Sequence, residues 1–183
     1  MNNVEYECTY LEINKNDFIS KIENLGACKV GEYYQKRYTY DFNPKKENKW
    51  IRLRTNGELT TLTIKEVFDK TSIGGNYELE IEVSDFEKTN KILLELGYNY
   101  RNYQENKRLI YKLDNIEFDI DSWPLIPEYV EIEGNNEESV KEIIKKLNLD
   151  TNKITNYDVT SIYNKIYNID VLSIKELKFD NQK

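Results

Sequence analysis

The chain has 183 residues, 39% of them hydrophobic and 32% charged, and its 26 Lys and Arg against 33 Asp and Glu give a formal charge of −7. That length suits one domain with a sizeable core, and an acidic balance without a basic stripe sets nucleic acid aside as a partner. There is no histidine, which removes Ser-His and Cys-His nucleophile systems and His-ligated zinc.

Acid–base work in such a chain falls to Glu, Asp, Lys, Tyr or bound water. Any metal must be a hard, oxygen-liganded ion, Mg2+ or Mn2+ first. No apolar run nears the ~18 residues of a membrane span, and the N-terminus shows no charged-then-apolar signal pattern. Cys8 and Cys28 form no metal or redox motif, so they are expected as reduced thiols in a cytoplasmic protein.

In chain order, 4–13 alternates and predicts a strand. A helix over 15–25 follows, with Phe18, Ile19, Ile22 and Leu25 at helical spacing and Gly26 at the C-terminal stop. Residues 29–42 predict a long aromatic strand, in which Tyr33, Tyr34, Tyr38 and Tyr40 are expected as wall packing. WIRLRT (50–55) and 58–67 predict a hairpin across a two-residue Asn56-Gly57 turn. A strand over 77–83 leads to a helix with Ser84 as N-cap and Glu87 completing a capping box, stopped by Gly97. KRLIYKL (107–113) and IEFDIDSW (116–123) predict a hairpin across Asp114-Asn115, YVEIEG (129–134) a strand, and 137–147 a helix. Trp50 and Trp123 are expected in the core. In the tail, 158–169 predicts a helix capped by Asp158 or Thr160, with Ile162, Ile166 and Ile169 facing inward.

A unit of Glu-x-Glu strand, polar cap and amphipathic helix occurs at 4–26 and 77–97, and more weakly at 129–148. Hairpins fill the gaps. The pattern predicts an α+β fold with a largely antiparallel sheet, helices packed outside, and closure into a barrel that leaves no edges.

Acids alternate as Glu5-x-Glu7, Glu78-x-Glu80-x-Glu82 and Glu131-x-Glu133, joined by Asp119-x-Asp121; cations alternate as Arg52-x-Arg54 with Lys65 and Lys107-Arg108. A spacing of two puts side chains on one face of a strand. An exposed sheet face mixes charge signs with Thr, Ser and Gln. These strands are nearly pure in sign, and like charges on one face need a counterion. A shared cavity with divalent metal on one wall and a polyanion on the other meets that need.

The order Glu5-Tyr6-Glu7, WIRLR (50–54), Thr63-Ile64-Lys65, ELEIEV (78–83), Lys107-Arg108, FDIDSW (118–123) and VEIEG (130–134) resembles the CYTH superfamily, the triphosphate tunnel metalloenzymes. That superfamily includes class IV adenylate cyclases and thiamine triphosphatases. The resemblance implies a closed eight-stranded antiparallel tunnel over 1–149, with a helical extension over 150–183 that packs on the barrel or plugs it. It implies triphosphate grip by Arg52, Arg54, Lys65, Lys107 and Arg108. It further implies Mg2+ or Mn2+ on Glu5, Glu7, Glu131 and Glu133, with Glu78, Glu80 and Asp121 as acidic neighbours. Glu5, Glu7, Arg54 and Lys65 are the residues it assigns to catalysis. The family's Glu-x-Glu-x-Lys signature departs here, because Thr9 stands at the lysine position.

The expected function is a metal-dependent hydrolase of an inorganic, nucleoside or thiamine triphosphate. The alternatives are a class IV adenylate cyclase, which releases pyrophosphate from ATP, and a non-catalytic polyphosphate- or nucleotide-binding module. The expected partner is a small-molecule triphosphate, without nucleic acid or membrane, for a monomer or homodimer.

Overall fold

A computed structural model describes residues 4–69 and 71–179. The elements are β1 (Val4–Tyr10), α1 (Lys15–Asn24), β2 (Cys28–Asp41), β3 (Lys49–Thr55), β4 (Thr60–Val67), β5 (Asn76–Glu82), α2 (Phe86–Glu95), β6 (Tyr100–Leu113), β7 (Ile116–Ser122), β8 (Tyr129–Gly134) and α3 (Glu137–Lys146). Strand order runs β6-β2-β3-β4-β5-β1-β8-β7, and β7 pairs back onto β6. The result is a closed eight-stranded antiparallel barrel within an α+β fold, as expected.

The barrel is built inside out. In β3, Ile51 and Leu53 are buried outward beneath α2, while Trp50, Arg52 and Arg54 line the interior. In β8, Val130 and Ile132 face outward and Glu131 and Glu133 inward. The main apolar core therefore lies between the barrel wall and its helices. Phe18 and Ile22 of α1 and Val140, Ile143 and Leu147 of α3 pack on Ile116, Phe118, Ile120, Val130 and Ile132. The smaller cluster under α2 joins Leu93 to Tyr40, Ile51 and Leu53.

Asn14, Asp85 and Asn136 cap the three helices, each side chain accepting the backbone N–H three residues on. Asp85 thus displaces the expected Ser84, and no Ser84–Glu87 capping box forms. The helices end on left-handed residues: Gly26 (φ 99°), Gly97 (φ 87°) and Asn148 (φ 50°).

The β3–β4 connection is a four-residue loop, 56–59, closing at the Thr55–Thr60 pair, in place of the expected two-residue turn. The Asn56 side chain accepts the N–H groups of Glu58 (3.0 Å) and Leu59 (2.7 Å), an Asx turn that draws both into the loop. Asp114-Asn115 does join β6 and β7 as a two-residue turn, with Leu113 paired to Ile116. β6 begins at Tyr100, well before the expected strand at 107. Its early inward positions carry Asn102, Gln104 and Asn106, which are buried and polar and so hide the strand period.

The tail wraps one end of the barrel. Ile154–Thr155 (β9) pairs with β1 at Tyr10 and Thr9, and Glu176–Leu177 (β10) lies parallel beside β6. Between them, Ile162, Tyr163 and Val171 bury against Leu11, Trp123 and Tyr129. Asp158 caps a helical turn at Val159–Ser161 that widens into a π turn, with the Tyr167 N–H donating to the Ile162 carbonyl at 3.3 Å. The widened turn makes Ile162 and Tyr163 the inward pair and leaves Ile166 42% exposed, against the expectation that it faces the core. Cys8 is buried, Cys28 is exposed, and neither forms a disulfide.

Truncation of Ile132, fully buried between barrel and helices, is expected to cost about 2–5 kcal/mol. Ile81→Ala lies on the outward face of β5, where the side chain is 58% exposed, and is expected to change stability by less than about 0.5 kcal/mol. Urea unfolding of the two variants checks the contrast.

Candidate active site

The lumen is a cavity open to solvent and lined by side chains from all eight barrel strands. One wall is basic: β2, β3 and β4 contribute Arg37, Arg52, Arg54 and Lys65. The facing wall is acidic. Glu78 and Glu80 come from β5, Glu5 and Glu7 from β1, Glu131 and Glu133 from β8, and Glu117 and Asp119 from β7. Arg108 of β6 stands among the acids, backed by fully buried Asp121.

Pairing between neighbouring strands of the lumen is specific. Lys65 Nζ lies 2.5 Å from Glu78 Oε1, 3.6 Å from Glu5 and 3.7 Å from Glu7. Arg52 donates to Glu78 at 2.9 Å and reaches Glu80 at 3.5 Å, and Thr63 donates to Glu80 at 2.6 Å. Arg108 gathers three carboxylates: Asp119, Asp121 (2.6 Å from Nη2, 2.8 Å from Nε) and Glu131 (2.6 Å). Asn76 donates to Glu7 at 2.6 Å.

Register also stacks like charges. Glu133 sits directly opposite Glu7 on one side and Glu117 on the other, and Glu131 sits opposite Asp119. On the basic wall Arg37 sits opposite Arg54. Directly opposed like charges destabilise a sheet, and the titration of these groups reflects the crowding. Burial, then repulsion from Glu7 and Glu117, pushes Glu133 up to about 7. Burial pushes Glu5 up to about 8 despite Lys65, and Asp119 to about 8 despite Arg108. Glu78 moves the other way, well below the usual carboxylate range, because Arg52 and Lys65 outweigh the cost of its burial. Arg54 falls to about 10 beside Arg52 and through burial.

Every residue proposed from sequence reaches this lumen or its immediate backing except Lys107 and Glu82, which is exposed at the end of β5. Strand alternation turns Lys107 outward, where it is exposed with its ammonium 4.8 Å from the Phe179 ring. Trp50, expected in the core, is half-buried and lines the lumen, whereas Trp123 is buried as expected. Glu117 was missed although it shares the two-residue period of Asp119 and Asp121. Residues 156–160 also line one mouth, and their sequence carried no signal for it. Thr9 lies in the lumen, 5% exposed, and supplies no cation there.

Among the described residues no three carboxylates converge as a formed cation site. The donors nonetheless fit a hard divalent ion. Glu5, Glu7, Glu131 and Glu133 offer oxygens alone, and a bound cation would offset the burial and the neighbouring acids that hold Glu5 and Glu133 above their ordinary range.

A raised folded-state pKa means that the folded protein keeps a proton the unfolded chain has released, so stability falls as pH rises through that window. For Glu133 the window runs from its ordinary 4.5 to about 7. Glu133→Gln is therefore expected to stabilise the metal-free protein at pH 8 by on the order of 2 kcal/mol. The gain should vanish at pH 5, where both side chains are neutral. Thermal melts at the two pH values check this.

Comparison with known proteins follows the same lines. The PH1012 protein of Pyrococcus horikoshii is 27% identical, with a TM-score of 0.74 over 84% of this chain and 96% of that one. A candidate adenylate cyclase from Vibrio parahaemolyticus shares the fold at 12% identity, TM-score 0.75, covering 88% of this chain and 98% of its own. So does a Hippeastrum protein described as a candidate adenylyl cyclase with a dominant triphosphatase activity, at 12% identity, TM-score 0.59, over 91% and 96% of the two chains. A search of curated proteins finds no match. The CYTH domain model matches residues 3–166, and with that match over most of its length the chain belongs to the CYTH domain family.

Proposed function

We propose that the protein is a divalent-metal-dependent enzyme that hydrolyses a triphosphate bound in the tunnel. The observation that carries this reading is the division of one lumen into a basic wall and an acidic wall. A polyphosphate chain needs closely spaced positive donors, and Arg52, Arg54 and Lys65 supply them from adjacent strands, with Arg108 across the lumen. Glu78 holds Lys65 and Arg52 in position before substrate arrives, so these donors need little reorganisation to meet charge that builds on phosphoryl transfer. Glu5, Glu7, Glu131 and Glu133 are the residues that would hold Mg2+ or Mn2+. The metal, when bound, supplies a Lewis acid that draws charge from phosphoryl oxygens. The tail residues 156–160 line one mouth. The Hippeastrum protein, described as having a dominant triphosphatase activity, favours hydrolysis over cyclisation as the first reading.

Incubation with tripolyphosphate, ATP and thiamine triphosphate, each with Mg2+ or Mn2+, tests the proposal. Metal-dependent release of inorganic phosphate is expected, and it should stop on chelation. Pyrophosphate with cyclic AMP from ATP would make the protein a cyclase, and tight binding without turnover a binding module. Lys65→Gln is expected to lower kcat/KM by about 10²–10³ while the fold, read by circular dichroism, is kept.

A further inference from the structure

Arg37 stands out from the other cations of the lumen. Lys65, Arg52 and Arg108 each touch at least two carboxylates. Arg37 is 5% exposed, yet among the described residues its hydrogen-bond partners are the neutral amides of Gln35, at 2.8 Å, and Asn106. Its guanidinium lies 4.6 Å from the Trp123 ring, which fixes its plane. Its Nε is buried and has no hydrogen-bond partner. Asp121 acts on Arg37 electrostatically but gives its oxygens to Arg108, Asn106 and Trp123. Directly across the strand pair is Arg54, whose own carboxylate contact, with Glu80, is long at 3.8 Å. Burial and the neighbouring Arg54 and Arg52 push the Arg37 guanidinium down to about 9.

A buried charge held without a counter-charge is costly, and here it is rigidly placed by an aromatic face and two amides. Such a group is poised to receive an anion that enters the lumen. The geometry points to Arg37, beside Arg54, as a further phosphoryl-oxygen receptor in the tunnel, a fork that provides from β2 the positive charge Thr9 does not provide from β1. This assignment rests on the triphosphate reading of the same lumen. It adds a residue to that reading and makes anion affinity separable from metal binding and turnover.

The test measures binding of inorganic tripolyphosphate by calorimetry, in EDTA, to the full chain and to Arg37→Gln, with thermal melts of the anion-free proteins alongside. The expected result is a loss of affinity of about 10- to 100-fold, with a melting temperature equal to or above wild type, since an uncompensated buried charge has gone. Affinity within twofold of wild type overturns the inference. So does a variant whose melting temperature falls with its affinity, because Arg37 is then a structural anchor for Trp123 and the tail. Arg37→Met keeps an unbranched chain against Trp123 and repeats the reading should Arg37→Gln not fold; failure of both to fold also overturns it. Wild-type protein that binds no tripolyphosphate sinks the triphosphate reading itself, a result distinct from a variant that binds as well as wild type.

Discussion

Attraction between two oppositely charged walls is the constraint on which the rest of this molecule turns. A barrel with an apolar lumen is held from within. Here the lumen carries Lys65, Arg52, Arg54 and Arg37 on one side and a bank of carboxylates on the other, so apolar cohesion must come from outside. That is why the three long helices and the tail are not accessories. They bury the outward faces of β1, β2, β3, β7 and β8, and the closed strand ladder then holds like charges closer than they would settle in water.

The sign of each titration shift follows from which wall a group belongs to and how well it is matched. Glu78 faces two cations at short range and stays ionised. Glu133, flanked in register by two glutamates, does not hold its charge easily. Arg108 touches three acids, and Arg37 touches none among the described residues. The lumen is therefore unevenly compensated, strongest where Lys65, Arg52 and Glu78 meet and weakest along the Arg37–Arg54 pair and the Glu7–Glu133–Glu117 row.

Much of this was legible in the residues, and the exceptions have physical causes. Strands with one apolar and one charged face, such as WIRLRT and YVEIEG, showed both their period and their inward side. The first half of β6 did not, because amide side chains face the lumen and aromatic ones pack outside, which blurs the polar alternation. Lys107 was grouped with Arg108 by adjacency, though neighbouring residues on a strand face opposite ways. Arg37 sits in a stretch where Lys36 and Arg37 are equally cationic; only the pairing of Arg37 with Arg54 decides which one enters. The tail's contribution to the mouth depends on a π turn and on contacts far apart in sequence, neither of which has a local signature.

Among the described residues the join between β1 and β5 is the thinnest in the cylinder. Among the described residues its ladder has two residue pairs, Val4–Tyr77 and Glu5–Asn76, while β2 and β6 share a long run. A Glu7 N–H bond to the Ile73 carbonyl and the Asn76–Glu7 side-chain bond reinforce it. The nearby outward side chains Leu79 and Ile81 are exposed, and no helix among the described residues clamps this stave. Thermal breathing concentrates where hydrogen bonds are few and apolar cover is absent. Among the described residues the least-held wall is thus the one bearing Glu5, Glu7 and Glu78, so the bore's calibre is most adjustable beside its densest negative charge.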